Sequence, residues 1–384
     1  MKAVGIPVAQ ELNSVITIAE LGRLLQILTE RGYELIGPTM RDGAIVYDQI
    51  ETLDDLPAGW TDEQEPGRYR LHRRTDDALF GYAVSGQSWK KYLHPANIRL
   101  WSANRQNTAF HILNNEPVRR KRYAFIGVRS CDLSAIAVLD RVLLEDRQQD
   151  HIYAARRDEV FVVAVQCIHS VSTCFCASMG TGPQAKGGFD LALAEILEPG
   201  EHRFLIQVGS EAGREILLLL ASRNATEEDE RLAHAALTHA AVIQTRRIDT
   251  TDVRDVLLAN FDHSHWDDVA DRCLTCANCT LVCPTCFCTT VEDTIDISGN
   301  HAERWRRQDS CFALEFSYIH GGNVRSTAKS RYRQWMTHKL ASWFDQFGSS
   351  GCVGCGRCIT WCPVGIDITQ ELQAIRGKAE NANP

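Results

Sequence analysis

Several features that would place this chain in a common class of protein are missing from its 384 residues. No apolar run approaches the ~18 continuous residues that a membrane-spanning helix needs. The net charge of −8 does not favour a general nucleic-acid binder, which would show a basic patch or an alkaline pI. The start lacks the basic, apolar and small-residue segments of a signal peptide, so we expect a cytoplasmic protein.

Cysteine is absent from the first 130 residues and abundant afterwards. The chain has fifteen cysteines, and seven of them fall between residues 273 and 311. Cytosolic thiols are kept reduced, so a disulfide framework is not expected, and clustered cysteines indicate ligands of metal or of clusters. Two other cofactor motifs are missing, since no G-x-G-x-x-G follows a strand and no H-E-x-x-H occurs.

The pattern of strand, helix and turn signals predicts an α+β protein in three parts. Residues 1–120 show a helix and two hairpins and predict a small α+β domain. One hairpin turns at Asp42-Gly43 between two apolar runs, and the other pairs residues 67–74 with residues 78–84. Residues 121–245 repeat strand, turn and helix, which is typical of parallel α/β packing. Residues 246–384 are mostly helical and rich in cysteine, and predict a ferredoxin-like domain with two clusters.

Two complete ferredoxin-type cysteine runs occupy the last part, CLTCANCTLVCP at 273–284 and CVGCGRCITWCP at 352–363. In each run C-x-x-C-x-x-C lets three thiolates meet one 4Fe-4S cubane, and in two-cluster ferredoxins the fourth cysteine ligates the other cluster. The alternative is a pair of zinc sites, but zinc favours paired C-x-x-C units. The predicted ligands are Cys273, Cys276, Cys279 and Cys362 for cluster 1, and Cys352, Cys355, Cys358 and Cys283 for cluster 2.

Four cysteines of the middle part form a predicted third site. Cys131 and Cys167 each follow a strand, and the carboxyl edge of a parallel sheet is where ligands usually bind. Cys174 and Cys176 lie on the loop after Cys167, in the string Thr-Cys-Phe-Cys. Four thiolates at one sheet edge can surround a third cubane, cluster 3. The alternative is that some of them are ordinary buried free cysteines.

The string Thr-Cys-Phe-Cys recurs at 285–288, directly after the first run. Its Cys286 and Cys288, together with Cys311, offer three thiolates for a fourth cluster, cluster 4, whose last position is open or filled by another ligand. The alternative is that this trio binds nothing and packs beside the two-cluster unit. The candidates for the last ligand, by proximity in the sequence, are Asp309, His301 and His320.

Four segments outside the two runs, and one that contains the second run, are similar in sequence to one family. They are GVRSCDLSAIAVLDRV (127–142), TCFCASMGTGP (173–183), DSCF (309–312), FSYIHGG (316–322) and SGCVGCGRCITWCPVGID (350–367). With CPTCFC they resemble the iron–sulfur beta subunits of cytoplasmic bidirectional nickel–iron hydrogenases, also called sulfhydrogenases. One of the subunits of anaerobic sulfite reductase is similar. The resemblance spans nearly the whole chain and is most specific over residues 123–367.

This resemblance implies an electron-transfer subunit that does not itself catalyse a reaction. It would relay electrons between a flavin- and NAD(P)-binding subunit and the small and nickel-bearing large subunits of a hydrogenase, with no nucleic acid or membrane as partner. The chain lacks the paired C-x-x-C motifs near both ends that the nickel-bearing subunit has. Two alternatives stay open: a subunit of an anaerobic sulfite or sulfur reductase, and a reductase with an open iron of its own at Cys286, Cys288 and Cys311.

Overall fold

The structure of the protein, a computed structural model, describes residues 13–113, 121–145 and 149–380. β-Branched and aromatic residues favour its strands, most clearly in YAFIGV and FVVAV, where every residue is buried. In chain order the strands are β1 Ser14–Thr17, β2 Glu34–Arg41, β3 Ala44–Gln49, β4 Trp60–Glu65, β5 Arg68–Arg73, β6 Asn97–Gln106, β7 Ala109–Leu113, β8 Tyr123–Val128, β9 Phe161–Val165, β10 Leu191–Glu198, β11 Glu201–Val208, β12 Arg223–Asn224, β13 Thr289–Ile295, β14 His301–Gln308, β15 Tyr318–Ile319 and β16 Gly322–Asn323.

Helices fill several connections between these strands and make up much of the chain after residue 246. In chain order the α-helices are α1 Ile18–Glu30, α2 Lys90–Leu93, α3 Ser130–Leu143, α4 His151–Arg157, α5 Glu211–Leu217, α6 Glu227–Val242, α7 Val253–Ala259, α8 His265–Arg272, α9 Asn278–Leu281, α10 Ala328–Thr337, α11 Trp343–Phe347, α12 Arg357–Thr360 and α13 Ile368–Glu380.

An eight-stranded mixed sheet runs in the order β12-β1-β11-β10-β9-β8-β2-β3. Its centre, β10-β9-β8-β2, is parallel, and antiparallel strands flank it on both sides. Alternate residues of β8 face two different cores: Ala124 and Ile126 pack with α1, whereas Phe125 and Val128 pack with α3 and α4. Helices therefore cover both faces of the sheet, and the predicted α+β class is confirmed.

Two predicted hairpins have different outcomes. The Asp42-Gly43 hairpin is confirmed, since β2 and β3 are antiparallel and the turn residues have φ of 48° and 74°. The pairing of residues 67–74 with residues 78–84 is wrong, because β5 pairs with β4 instead. The second segment is a buried irregular stretch, and the N–H groups of Leu79 and Phe80 donate to the carboxylate of Glu195 rather than to a strand.

Strand pairing also crosses the predicted domain boundaries at residues 120 and 245. Strands β1 to β3 share the large sheet with β8 to β11, and a second sheet, β13-β14-β6-β7, joins the first part to the last. The hairpin of β13 and β14 is a feature that the prediction of a mostly helical last part missed. The three-part division stays a prediction, and the shared sheets argue against separate folding of residues 1–120.

The last part is held by an apolar core that includes Trp266, Tyr332, Trp335 and Leu340. Helix α10, a π-type turn at 338–342 and α11 form one continuous rod between the two cysteine runs. The rod ends at Gly348, where φ is 68°. It places its buried face directly beside both runs.

Candidate iron–sulfur sites

The two cysteine runs fold into loops of the same backbone shape. Two and four residues after its first cysteine, each loop enters the left-handed region of φ. These residues are Thr275 and Ala277 in the first loop, with φ of 50° and 66°, and Gly354 and Gly356 in the second, with φ of 65° and 75°. Because non-glycine residues rarely adopt this conformation, its recurrence at equivalent positions shows that the loop shape itself is required.

In the second loop, glycine is also required because a side chain would not fit. A Cβ on Gly354 would lie 2.7 Å from the backbone nitrogen of Cys176, and one on Gly356 would lie 2.4 Å from the backbone oxygen of Thr173. The second loop thus packs backbone to backbone against the loop at 173–176. The first loop faces solvent, as the exposure of Cys276 shows, so larger residues fit there.

The loop shape turns backbone N–H groups toward sulfur. Such hydrogen bonds favour the thiolate and, in iron–sulfur proteins, tune the reduction potential. The contacts, with the donor first, are the N–H of Thr275 to Sγ of Cys273 at 3.4 Å, of Gly354 to Cys352 at 3.4 Å and of Ile366 to Cys362 at 3.3 Å.

The cysteines predicted for cluster 1 lie around one small apolar cavity of about 30 Å³. Burial, followed by the charges of Cys273, Cys362 and Cys276, raises the pKa of the Cys279 thiol well above its ordinary value. Cys362 therefore lies with the three cysteines of the other run. The rest of the wall includes Phe312, Tyr332 and Trp335.

The cysteines predicted for cluster 2 lie around a neighbouring cavity of about 20 Å³. Burial and then the charges of Cys352, Cys355 and Cys283 raise the pKa of Cys358 well above its ordinary value. Cys358 and Trp335 line both cavities. In the described ranges no group of three Cys, His, Asp or Glu side chains is arranged to hold one metal ion directly, and the thiols surround cavities instead.

The four cysteines predicted for cluster 3 also come together, at the carboxyl ends of β8 and β9. Cys131 lies in the first turn of α3, and Cys167 follows β9. Burial, then Asp132 and Cys176, raises the pKa of Cys131 well above its ordinary value. Burial, then Cys176 and Cys167, does the same for Cys174.

Polar contacts surround the sulfur of Cys176. The Nε2 group of buried Gln244 donates to it at 3.3 Å, while Oε1 of Gln244 accepts from the N–H of Ala177 at 3.0 Å. A Cβ on Gly182 would lie 2.8 Å from the same sulfur. Gln244 was not predicted, and no sequence pattern separates it from the other glutamines.

The second and third sets of thiols adjoin each other. Cys355 is among the charges that raise the pKa values of Cys131, Cys174 and Cys176. The N–H of Phe175 donates to the carbonyl of Gly354 at 2.9 Å, so the two loops are joined through their backbones.

The trio predicted for cluster 4 is divided into two thiol pairs, one of which includes a predicted cluster 2 ligand. Cys286 is hydrogen-bonded to Cys283, and this contact, against the effect of burial, holds the pKa of Cys283 well below its ordinary value. Cys288 is hydrogen-bonded to Cys311, which lowers the pKa of Cys288 to about 7. Cys283 is buried and the other three thiols are half-buried, and both pairs lie near the same positive charge, that of Lys339.

The three candidates for a fourth ligand differ in how close they lie to the trio. The N–H of Asp309 donates to the carbonyl of Cys288 at 2.9 Å, so Asp309 lies beside the trio. His301 starts β14, at the end of that strand remote from Asp309, and its Nδ1 is 2.7 Å from Asn104 Oδ1. His320 is exposed between β15 and β16. His301 is therefore not a ligand in this arrangement.

Lys339 is buried between the thiols, with 3% of its surface exposed. Its Nζ donates to Thr285 Oγ1 at 3.0 Å, to the Gly351 carbonyl at 3.2 Å and to Cys283 Sγ at 3.4 Å. Nζ also lies 5.3 Å from the centre of the Trp343 ring. Burial lowers the pKa of Lys339, but the surrounding thiolates, Cys283 foremost, outweigh it and raise the pKa well above its ordinary value.

A second lysine, Lys90, reaches the same segment from the sheet side. It is 6% exposed, and its Nζ donates to the carbonyls of Cys283 at 2.9 Å and Cys286 at 2.8 Å. The neighbouring Lys91 is exposed. No sequence pattern clearly predicts the burial of Lys90. Lys339 lies four residues from both Trp335 and Trp343, so helical spacing places it on the same buried face as these two residues.

A buried ion pair links the third set of thiols to the second. Arg357 and Asp132 are 0% and 1% exposed at their side chains, and each adjoins a predicted ligand, Cys358 or Cys131. Nη2 of Arg357 donates to Oδ2 of Asp132 at 3.0 Å, while Nη1 lies 2.9 Å from Oδ1. Tyr47 donates its hydroxyl to the same carboxylate at 3.4 Å.

Comparison with known proteins defines the class. Residues 272–366 match the 4Fe-4S dicluster domain family, whose bounds enclose both cysteine runs. This is therefore an iron–sulfur protein that carries 4Fe-4S clusters in its last part. Among the described residues no helix is both long and apolar enough to cross a bilayer. No solved structure gave a significant match.

Similarity to a curated relative narrows the class to a family. Sulfhydrogenase 2 subunit beta of Pyrococcus furiosus is 35% identical over 258 residues, which cover 66% of this chain and 74% of the relative. The chain belongs to the sulfhydrogenase beta-subunit family, and the resemblance drawn from the sequence is confirmed. Its role is that of an iron–sulfur electron-transfer subunit.

Proposed function

We propose that this chain relays electrons between a flavin- and NAD(P)-binding subunit and a nickel–iron hydrogenase module. The observation that carries the proposal is the row that the thiol sets form. The sets for clusters 1 and 2 share Cys358 and Trp335 as a common wall, and the sets for clusters 2 and 3 adjoin at Cys355. A row of adjoining sites suits stepwise electron transfer rather than chemistry at one centre.

The ligands are assigned by which thiols lie together. Cys362 lies with the first run, and Cys283 lies with the second, as the crossing arrangement of two-cluster ferredoxins requires. The assignment is Cys273, Cys276, Cys279 and Cys362 for cluster 1; Cys352, Cys355, Cys358 and Cys283 for cluster 2; and Cys131, Cys167, Cys174 and Cys176 for cluster 3.

Each 4Fe-4S cluster supplies a centre that takes up or releases one electron. The protein's own groups then decide how readily it does so. Backbone N–H groups and the Gln244 amide donate to ligand sulfur, which stabilises negative charge there. Phe312, Tyr332 and Trp335 form an apolar wall on the inner side of the cavity of cluster 1, whereas Cys276 lies on its solvent side.

A fourth cluster is proposed for Cys286, Cys288 and Cys311, supported by the two buried lysines. Neither Lys90 nor Lys339 forms an ion pair with a carboxylate within the described residues. A buried cation needs a compensating negative charge, and an iron–sulfur cluster with thiolate ligands would provide it. We propose Asp309 as the fourth ligand, because its N–H donates to the carbonyl of Cys288 and it therefore lies beside the trio.

The relative's name describes one subunit of a sulfhydrogenase, which supports a complex of several chains. The partners that we propose are those that the family resemblance implies. They are a flavin- and NAD(P)-binding subunit and the small and nickel-bearing large subunits of the hydrogenase. Neither a nucleic acid nor a membrane is proposed as a partner.

The second candidate is a subunit of a sulfite or sulfur reductase, or a reductase with its own open iron. It is favoured by one observation, that the trio offers only three thiols beside two buried positive charges, which would suit an anionic substrate. Reduction of sulfite or polysulfide by the isolated, iron-loaded chain with a reduced dye would support this candidate. The electron-transfer proposal expects no such turnover.

Chemical analysis of the anaerobically purified chain tests the cluster proposal. Four 4Fe-4S clusters require about 16 iron atoms per chain and three require about 12. Stoichiometric zinc would contradict it, and about 8 iron atoms or fewer after full reconstitution would contradict clusters 3 and 4. Co-purification from the native source should recover flavin-containing and nickel-containing chains, and their absence would contradict the proposed partners.

A further inference from the structure

The ammonium group of Lys339 lies at the meeting point of the cluster 2 ligands and the trio. It belongs to the π-type turn at 338–342, a kind of turn that is frequent at functional sites. Its three acceptors are Thr285, Gly351 and Cys283, and only the last is a proposed ligand. Thr285 Oγ1 is itself 3.2 Å from Cys283 Sγ, so the hydroxyl and the ammonium group both approach one sulfur.

A positive charge fixed beside a cluster stabilises the reduced form, because reduction adds one negative charge. A hydrogen bond to ligand sulfur acts in the same direction. The structure offers no comparable lysine or arginine donor to the sulfur of Cys273, Cys276, Cys279 or Cys362 among the described residues. Lys339 therefore distinguishes cluster 2 from cluster 1, although the two loops have the same shape.

We infer that Lys339 sets the reduction potential of cluster 2 above the value that its loop alone would give. The inference rests on the proposed ligand set for cluster 2. In the reaction the cluster accepts one electron from a neighbouring cluster or an added reductant. No bond to Lys339 forms or breaks, and the ammonium group keeps its protons. The consequence is a site in the middle of the row whose affinity for an electron is raised by a charge of the protein.

The test is a potentiometric titration with dithionite, followed by electron paramagnetic resonance. The cluster 2 signal is identified as the one lost in Cys283→Ala. Replacing Lys339→Met removes both charge and donor, and we expect the equilibrium constant for reducing cluster 2 to fall at least tenfold, which is a shift of about 59 mV for one electron. Lys339→Gln keeps a donor without the charge, and Lys339→Arg keeps the charge.

Lys329→Met provides the matched control. Lys329 lies on α10, and its Nζ is 2.9 Å from a carboxylate oxygen of Asp267 rather than near sulfur. The same substitution there should leave every potential unchanged. In Lys339→Arg the equilibrium constant for reducing cluster 2 should stay within a few-fold of the wild-type value. A merely structural role for Lys339 would not require this.

The outcomes separate this inference from the proposed function. If the potential of cluster 2 is unchanged in iron-loaded Lys339→Met, the inference about Lys339 is wrong and the proposed function is unaffected. A shift confined to the signal that is lost in Cys288→Ala would have the same meaning. Wild-type protein without a signal that depends on Cys283 would overturn the ligand set. If the neutral variants lose cluster 2 and Lys339→Arg retains it, the charge requirement is supported, whereas loss in all three would contradict it.

Discussion

The ion pair of Arg357 and Asp132 allows a quantitative prediction, because both side chains are almost completely buried. Replacing Arg357→Met leaves the carboxylate of Asp132 in the interior with only the Tyr47 hydroxyl as a side-chain donor. Breaking one side of such a pair typically lowers the free energy of unfolding by about 3–5 kcal/mol. We expect this loss for Arg357→Met and for Asp132→Leu.

The double variant distinguishes a buried pair from two independent contributions. Because apolar replacement removes both desolvated charges together, Asp132→Leu with Arg357→Met should be within about 1–2 kcal/mol of wild type. Anaerobic urea titration followed by circular dichroism measures this, on protein whose iron content is determined in parallel. If the single variants lose iron and the double variant has the wild-type iron content, the conclusion is the same.

The control is the exposed pair of Arg254 and Asp345, with N–O distances of 2.9 Å and 3.2 Å. Its geometry is similar, but solvent screens both charges, so Arg254→Met should leave the urea midpoint near the wild-type value. A double variant of the buried pair that is destabilised by the sum of its single variants would refute the reasoning. Arg357 and Asp132 would then act separately.

Three further predictions concern the clusters and pH. Cys283→Ala should remove the spectrum of the cluster held by the 352–358 loop and spare that of the 273–279 loop; loss of the latter alone would rule out crossing ligands. Replacing Cys174 and Cys176 together by alanine should lower the iron content by about four atoms per chain, and unchanged iron would make both ordinary core thiols. Burial, aided by Arg306, lowers the pKa of His94 to about 4. The unfolded chain, with a histidine pKa of about 6.5, takes up that proton first, so stability should decline as pH falls from about 6.5 to about 4, and His94→Gln should flatten this part of the profile.

The sequence predicted those parts of the fold that are determined by residues close together in the chain. The Asp42-Gly43 turn and the strands β8 and β9 follow from residues within a few positions of each other. The pairing of β5 with β4, and of β14 with β6, depends on contacts between distant segments, which periodicity does not contain. Antiparallel pairing of β10 and β11 similarly departs from the parallel packing that residues 121–245 suggested.

The candidate sites were predictable as far as ligand spacing defines them. The cysteine runs indicate clusters because thiolate geometry is contained in the spacing itself. Residues that act on those thiols through space have no such spacing. Lys90 and Arg357 reach the cysteine segments or their neighbours only because the sheet side and the last part of the chain meet. Gln244 reaches Cys176 from the end of α6, 68 residues along the chain. Asp132, in the first turn of α3, likewise directs its carboxylate to the distant Arg357.

The absence of side chains at Gly354 and Gly356 has a consequence for how the protein matures. These residues lie directly against the backbone of the 173–176 loop. The second cysteine loop therefore cannot reach its final form until that loop is in place, and the reverse also holds. With the proposed ligand sets, assembly of cluster 2 and of cluster 3 would therefore depend on each other.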